Sequence, residues 1–345
     1  MVDPKIINHP HGDRTFTSTL YYGADVRESL RTLPDQSVQC VVTSPPYWGL
    51  RSYLPEGSEL KGSEIGAEST PDEYVSAMVD VFREVRRVLC DDGVLWLNLG
   101  DSFARDGGPV TKPGALRRRG NVDTRGAQIA SVIGLKPKDL VGIPWMVAFA
   151  LRSDGWWLRS DVIWAKGSCM PESVTDRPTR SHEYVFLLTK SQTYFYDADA
   201  VREPTQAIER PNHDGVRGGL PKSTIPGQQT QNGRAGNHPA GRNRRSVWTI
   251  NPRPYKGAHF ATMPPALAEV CVKAGSRPGD TVLDPFSGSG TTGYVSNRLG
   301  RHYVGTDLNL DYLPLAEARL MGMDPPESDD EKTQEGEASI LDLIG

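Results

Sequence analysis

Two short stretches of this 345-residue chain combine residue types that can do chemistry together. The first is Thr43-Ser44-Pro45-Pro46-Tyr47-Trp48. Consecutive prolines fix their own backbone and restrict the residue before them. The Ser44 hydroxyl and the Pro45 carbonyl can therefore be held as two acceptors beside one point, with the rings of Tyr47 and Trp48 nearby. Two acceptors and a stacking ring suit the amino group of a nucleic-acid base; the plainer reading is a rigid turn with buried aromatics. The second stretch is Asp284-Pro285-Phe286-Ser287-Gly288-Ser289-Gly290-Thr291-Thr292-Gly293. An acid ends a strand, glycines let backbone approach a ligand, and a helix begins with its N–H groups facing that ligand, as in nucleotide sites. Asp307 closes the next strand, where a carboxylate can accept both hydroxyls of a ribose. Gly288, Gly290 and Gly293 also satisfy a dinucleotide fingerprint. The alternative is a tight structural turn with Asp307 capping a helix.

These loops need a scaffold, and the pattern of the chain supplies one. Val38–Thr43 is a short β-branched run of the kind found in buried parallel strands. Thr70, Pro71 and Glu73 make a capping box, followed by an apolar face at Tyr74, Met78, Val81, Val85 and Val88. Asp91-Asp92-Gly93 reads as that helix's stop, and Val94–Leu99 as the next strand. Residues 144–152 read as a helix, and 20–22, 158–164 and 183–189 as strands. Pro264-Pro265 opens a helix that ends at Gly275; Thr281–Asp284 and His302–Thr306 are strands around the glycine turn. Strands alternating with helices predict an α/β fold with a mostly parallel sheet. Only residues 308–345 follow Asp307, too few to complete a dinucleotide-binding sheet that starts at the glycine loop. The remaining strands must come from the chain before it, which is a permuted order.

Composition narrows the partners. Apolar residues make up 37% and charged residues 24%, enough for a sizeable core and against global disorder. No stretch is long and apolar enough to span a bilayer, and the N-terminus has no apolar secretory core. Cys40, Cys90, Cys169 and Cys271 lie far apart without a CxxC pair, which argues against disulfides or a zinc site. These features predict a cytoplasmic protein. Net charge is −4, yet residues 324–345 hold eight acids against Lys332 alone, so the rest of the chain is net positive. Arginine and lysine gather in residues 105–138 and 202–245, where a polyanion partner and solvated loops are both compatible with the pattern. The acidic tail is expected to be disordered.

Ser-Pro-Pro-Tyr combined with Asp-Pro-Phe-x-Gly-x-Gly-Thr resembles the amino-group DNA methyltransferases that use S-adenosyl-L-methionine, in the motif order of their beta class. Tyr22-Gly23-Ala24-Asp25, Asn98-Leu99-Gly100-Asp101-Ser102, Arg180-Ser181-His182-Glu183-Tyr184 and His259-Phe260-Ala261-Thr262-Met263-Pro264 extend the likeness over most of residues 18–320. The resemblance implies a Rossmann-like methyltransferase fold with a mostly parallel seven-stranded sheet and an inserted target-recognition region. It implies a catalytic set of Ser44, Pro45, Pro46 and Tyr47. It also implies a cofactor set of Asp25 at the adenine, His259 along the methionine end, and Asp284, Phe286, Ser287, Gly288, Gly290, Thr291, Thr292 and Asp307. His182-Glu183 lacks the second histidine of a metal-binding helix, so no metal is implied. No cysteine follows a proline, which argues against covalent carbon-5 chemistry.

The implied division is a catalytic half at 1–203 with a basic insertion at 102–137, a target-recognition region at 204–247, a cofactor-binding half at 248–323 and the tail at 324–345. The implied partner is DNA, duplex and with a specific target sequence, whose base must leave the stack to be reached. Ser44 favours cytosine N4 over adenine N6 as the acceptor. Restriction–modification fits this reading, a homodimer and a cognate restriction endonuclease are compatible with it, and DNA binding would place the protein on the nucleoid. Two other classes compete: a nicotinamide-dependent oxidoreductase built on Gly288–Gly293, and a non-catalytic nucleic-acid-binding module. The first leaves Ser44–Trp48 without a purpose, and the second leaves both intact loops so.

Overall fold

The Ser44–Trp48 stretch follows a strand that is buried along its whole length, and that strand lies in the middle of the sheet. In the computed structural model, which describes residues 2–11, 13–49, 52, 54, 57–104, 135–169, 171–204, 241–252, 255 and 262–323, nine strands form one sheet. They are β1 (Lys5–His11), β2 (Arg14–Tyr22), β3 (Val38–Thr43), β4 (Leu89–Leu99), β5 (Trp157–Ala165), β6 (His182–Thr189), β7 (Val247–Thr249), β8 (Thr281–Asp284) and β9 (His302–Asp307). Their spatial order is β1-β2-β9-β8-β3-β4-β6-β5-β7. Strands β2, β9, β8, β3 and β4 run parallel, β6 is reversed between β4 and β5, and β1 is antiparallel at one edge. The expected seven-stranded mostly parallel sheet is β2 to β5 in this order; β1 and the short β7, paired parallel to β5, extend its edges.

Helices cover both faces. Alternating residues of β3 divide between them: Val41 faces one layer, and Cys40 and Val42 the other. On the first side lie α1 (Val26–Arg31), α2 (Pro71–Val88) and α3 (Ile143–Ser153), with Met78, Phe82, Val85 and Val147 wholly buried. On the other lie α4 (Pro265–Gly275) and α5 (Thr291–Arg298), whose Leu267, Cys271 and Val272 meet Val94 and Trp96 of β4. A third cluster joins β1, β2 and β9 to α6 (Leu313–Leu320) through Ile7, Leu20, Tyr303 and Leu320. Helix α2 has both bonds of its capping box, Glu73 N–H to Thr70 Oγ1 at 3.2 Å and Thr70 N–H to Glu73 Oε2 at 3.1 Å.

Asp91-Asp92-Gly93 is not the helix stop that its composition suggests. Helix α2 ends at Val88, and the three residues lie within β4. Val38 pairs with Leu89 but Cys40 pairs with Val94, so residues 90–93 bulge opposite Gln39 alone. The bulge lets the charged pair leave the sheet while both ends keep register.

Two segments interrupt this frame. Phe103 bridges Leu140, and Glu203 bridges Arg242, so the chain leaves and returns at a closed stem in each case. The Glu203 carboxylate takes Arg242 Nε and Arg245 Nε, both at 3.1 Å. The basic insertion and target-recognition region expected from the sequence fall largely outside the described residues, as does the acidic tail. Among the described residues no helix is long and apolar enough to cross a membrane, and no cluster of His, Cys, Asp and Glu could hold a metal.

Gly293 is where α5 approaches β9 most closely. A Cβ there would stand 2.5 Å from Tyr303 Cε1 and 2.7 Å from Leu320 Cδ2. Gly293→Ala should cost about 1–3 kcal/mol through overpacking. A urea midpoint equal to that of the parent protein would show that helix and sheet can part at no cost.

Candidate active site

The carboxyl ends of β3, β4, β8 and β9 open into one crevice of about 880 Å³. Its lining brings Ser44, Pro45, Pro46 and Tyr47 together with Asp284, Phe286, Ser287, Gly288, Thr291, Thr292 and Asp307. The two stretches are 240 residues apart in sequence at Ser44 and Asp284, yet their strands β3 and β8 are hydrogen-bonded neighbours.

One buried carboxylate ties them. Asp284 is 5% exposed, and its Oδ1 accepts from Thr43 Oγ1 at 2.6 Å and from Phe286 N–H at 3.1 Å. Its Oδ2 lies 2.9 Å from Thr292 Oγ1. Burial pushes its pKa up to about 6, with the three donors restraining the rise. Asp307 is raised to about 6 by the same cause; its donors are Gly288 N–H at 2.8 Å and Asn309 N–H at 2.9 Å. Backbone in the left-handed region at Gly288 (φ 51°) and Gly290 (φ 75°) turns the chain between Asp284 and α5. Tyr22 pins that turn from β2, its hydroxyl 2.7 Å from Ser287 Oγ and 2.9 Å from the Gly288 carbonyl.

The Ser44–Trp48 stretch is braced from three sides. Tyr74 of α2, wholly buried, donates its hydroxyl to the Pro46 carbonyl at 2.9 Å. Gly49 N–H donates to Gly66 O at 2.9 Å, and Trp48 Nε1 donates to Glu68 O at 2.9 Å. The Tyr47 ring lies against Gly100, where a Cβ would come within 2.5 Å of Tyr47 Cε2. Trp48 is packed on the core beside α2 and does not line the crevice.

Behind Ser44 stands a polar network that residue patterns did not single out for a role. Tyr47 donates its hydroxyl to Glu183 Oε2 at 2.6 Å, and its oxygen lies 3.4 Å from Ser44 Oγ. Asn98 Nδ2 reaches Tyr47 Oη at 2.9 Å, Glu183 Oε2 at 3.0 Å and Ser44 Oγ at 3.2 Å. Lys166 pairs with Glu183 Oε1. Burial, reinforced by the Glu183 carboxylate, pushes the Tyr47 phenol well above its usual pKa, so it stays a donor. Asn98 and Glu183 stand in stretches that resemble the family; Thr43, Tyr74 and Lys166 carry no local signal, because their partners are remote in sequence.

Two expected cofactor residues sit elsewhere. Asp25 caps α1, taking Arg27 N–H at 2.7 Å and Arg27 Nε at 2.9 Å, while its neighbour Val26 lines the crevice. Gly290 packs on Ala316 rather than on the crevice wall. His259 lies outside the described residues; Thr262 and Met263 of the same stretch line the crevice.

The comparisons with known proteins agree with this arrangement. The family model described as DNA methylase, covering N6 and N4 methyltransferases, matches residues 38–318. The chain is 47% identical over 297 residues to the type II methyltransferase M.SmaI of Serratia marcescens, across 86% of this chain and 89% of that protein. It is 48% identical over 305 residues to M.XycI of Xanthomonas campestris pv. cyanopsidis, across 88% of each. Among solved structures, the PvuII cytosine-N4-specific DNA methyltransferase aligns with a TM-score of 0.58 at 19% identity, over 92% of this chain and 90% of that one. A putative DNA modification methylase of Thermus thermophilus, complexed with S-adenosyl-L-methionine, aligns with a TM-score of 0.51 at 25% identity, over 89% and 94%. The chain belongs to the N6 and N4 DNA methylase family, has its Rossmann-like fold in permuted order, and uses S-adenosyl-L-methionine.

The residues present suit that cofactor: Asp307 at the end of β9 would offer a carboxylate to ribose hydroxyls, and Phe286, Leu308 and Tyr312 line the same crevice as apolar walls.

The raised pKa values have a measurable sign. An aspartate that binds its proton more tightly folded than unfolded favours the fold below about pH 4, and that contribution is lost as pH rises from about 4 to about 6. Asp284→Asn removes the titration. Its stability relative to the parent protein should therefore rise by up to about 3 kcal/mol across that window and stay level above it. A difference independent of pH would place the Asp284 pKa at its unfolded value.

Proposed function

We propose that this protein is a type II modification enzyme that methylates the exocyclic N4 amino group of a cytosine flipped out of a specific duplex sequence. Ser44 carries the reading, because a hydroxyl at the head of the Pro-Pro-Tyr loop faces the same crevice as the Gly288 turn. In the family resemblance, serine at this position goes mainly with cytosine. Both M.SmaI and M.XycI are named as type II methyltransferases, and the PvuII enzyme is described as cytosine-N4-specific. Adenine N6 is the other amino group that this family methylates.

Ser44 Oγ and the Pro45 carbonyl accept the amino hydrogens, which raises electron density on nitrogen and aims its lone pair. Tyr47 offers its ring face to the base, offsetting part of the few kcal/mol that unstacking costs. Bound S-adenosyl-L-methionine supplies an electrophilic methyl group. Asp307 accepts from the ribose, while Asp284, Phe286, Ser287, Gly288, Thr291 and Thr292 line the cofactor side. In this reading His259 keeps the methionine-end role implied by the resemblance, while Asp25 and Gly290 act indirectly, by shaping the turns that carry Val26 and Ser289. Catalysis is then mainly positioning in a water-poor site. In this reading the basic insertion lies between the bridged residues Phe103 and Leu140, and the target-recognition region between Glu203 and Arg242 and the residues just after. Arginine, asparagine and glutamine side chains there suit phosphates and base edges.

Mixed-sequence DNA incubated with the protein and methyl-labelled cofactor, then digested to nucleosides and weighed, decides the base. Label is expected in N4-methylcytosine; label in N6-methyladenine would overturn the assignment from Ser44. Ser44→Ala should leave cofactor affinity within about twofold while methyl transfer falls about a hundredfold. Transfer at the parent rate would remove Ser44 from the amino-acceptor role.

A further inference from the structure

Methylation of an amino group leaves a proton to be disposed of, and the loop that holds the base contains no strong base. The amino nitrogen's lone pair takes the methyl carbon, the carbon–sulfur bond breaks with its electron pair left on sulfur, and the nitrogen becomes positively charged. One of its N–H bonds must then break, returning its electron pair to nitrogen.

The structure offers a route for that proton. Ser44 Oγ lies 3.4 Å from Tyr47 Oη, and Tyr47 Oη donates to Glu183 Oε2 at 2.6 Å. Asn98 fixes the direction of the chain. Its Nδ2 carries two N–H donors and accepts nothing, so none of the three oxygens within 3.2 Å can direct a proton to it. The remaining hydroxyl protons are then free to point the same way, Ser44 to Tyr47 and Tyr47 to Glu183. Lys166 pairs with the other carboxylate oxygen and orients it. The Ser44–Tyr47 step is the long one, and catalytic hydrogen bonds are commonly loose before substrate is bound.

We propose that Ser44, Tyr47 and Glu183 form a proton relay in which Glu183 is the final acceptor. Ser44 Oγ takes the proton from the methylated nitrogen as it passes its own to Tyr47 Oη, and Tyr47 passes its own to Glu183. Both hydroxyls end neutral, the carboxylate ends as a carboxylic acid, and the nitrogen ends neutral. The acid returns its proton to water when the crevice opens. A phenol held well above its usual pKa serves such a relay, because Tyr47 carries a proton through without resting as phenolate. The inference rests on transfer to an amino nitrogen and holds for cytosine N4 and adenine N6 alike.

The test uses the full chain with mixed-sequence DNA and labelled cofactor, after nucleoside analysis of the parent protein has shown label on an amino group. Label elsewhere would fail the amino-transfer reading itself, before the relay is addressed. Cofactor affinity by calorimetry confirms that Glu183→Gln and Glu183→Ala keep an intact site. Single-turnover transfer by Glu183→Gln is expected to fall about a hundredfold, because the amide keeps the hydrogen-bonding shape but takes no proton. Added formate should raise the rate of Glu183→Ala about tenfold, with chloride at equal ionic strength inactive, and should leave Tyr47→Phe unchanged because its relay is cut earlier. A merely structural role for Glu183 gives no difference between formate and chloride. Glu183→Gln at the parent rate, or a slow Glu183→Ala that formate does not rescue, would overturn the relay.

Discussion

The buried Asp284 carboxylate holds the active site together. A charge taken out of water must be compensated by hydrogen bonds, and its three donors come from different parts of the chain. Thr43 ends the strand that leads into Ser44, Phe286 belongs to the glycine turn, and Thr292 opens α5. Satisfying one side chain therefore fixes the separation of the two loops that face each other across the crevice. Thr43 and Thr292 are themselves almost wholly buried, so neither has water as an alternative partner. Losing any of these bonds leaves a buried polar group unmatched, which costs more than the bond itself contributes.

The same constraint governs the Ser44 side of the crevice. Glu183 lies on β6, the strand that runs against its neighbours, so its approach to the crevice is by its amino-terminal end. Its carboxylate meets Asn98 from β4, Lys166 just after β5, and Tyr47 from the loop after β3. With β6 itself, four separate elements meet there, and the sheet must be assembled before the network closes. Tyr74 adds a fifth anchor by reaching from α2 to the Pro46 carbonyl. Ser44 thus sits on a loop whose prolines restrict it from within and whose partners restrict it from outside, the condition under which positioning contributes to rate.

What could be read from residues alone follows the range of the interactions. Strands β3 and β8 are found where the pattern puts them, because β-branched runs buried on both faces leave no other periodicity. The capping box of α2 is a contact over three residues and was equally legible. Asp91-Asp92-Gly93 misled because charge and glycine mark a bulge as readily as a helix end, and only the pairing of β4 with β3 distinguishes them. Strand β1, rich in histidine and proline, carries no alternation, and β7 is three residues long. The reversed direction of β6 depends on its partners and has no local signature. In the site, Ser44, Asp284 and Asp307 stood out through glycine and proline around them. Thr43, Tyr74 and Lys166 did not, since each acts through a partner at least 17 residues away.

The permuted order also explains how the chain tolerates its two interruptions. Each interruption begins and ends at a bridge, Phe103 with Leu140 and Glu203 with Arg242, so the described strands on either side keep their pairing and the length between costs loop-closure entropy, which grows slowly. The first stem directly follows β4, whose Asn98 belongs to the network behind Ser44. The second precedes β7, whose Thr249 pairs with Ala165, next to Lys166 on the crevice wall. Each stem is thus joined, through β4 or through β7 and β5, to residues that line the crevice. Both stems and the network behind Ser44 therefore belong to the same neighbourhood of the fold, while Asp284 and the glycine turn form the other side of the crevice.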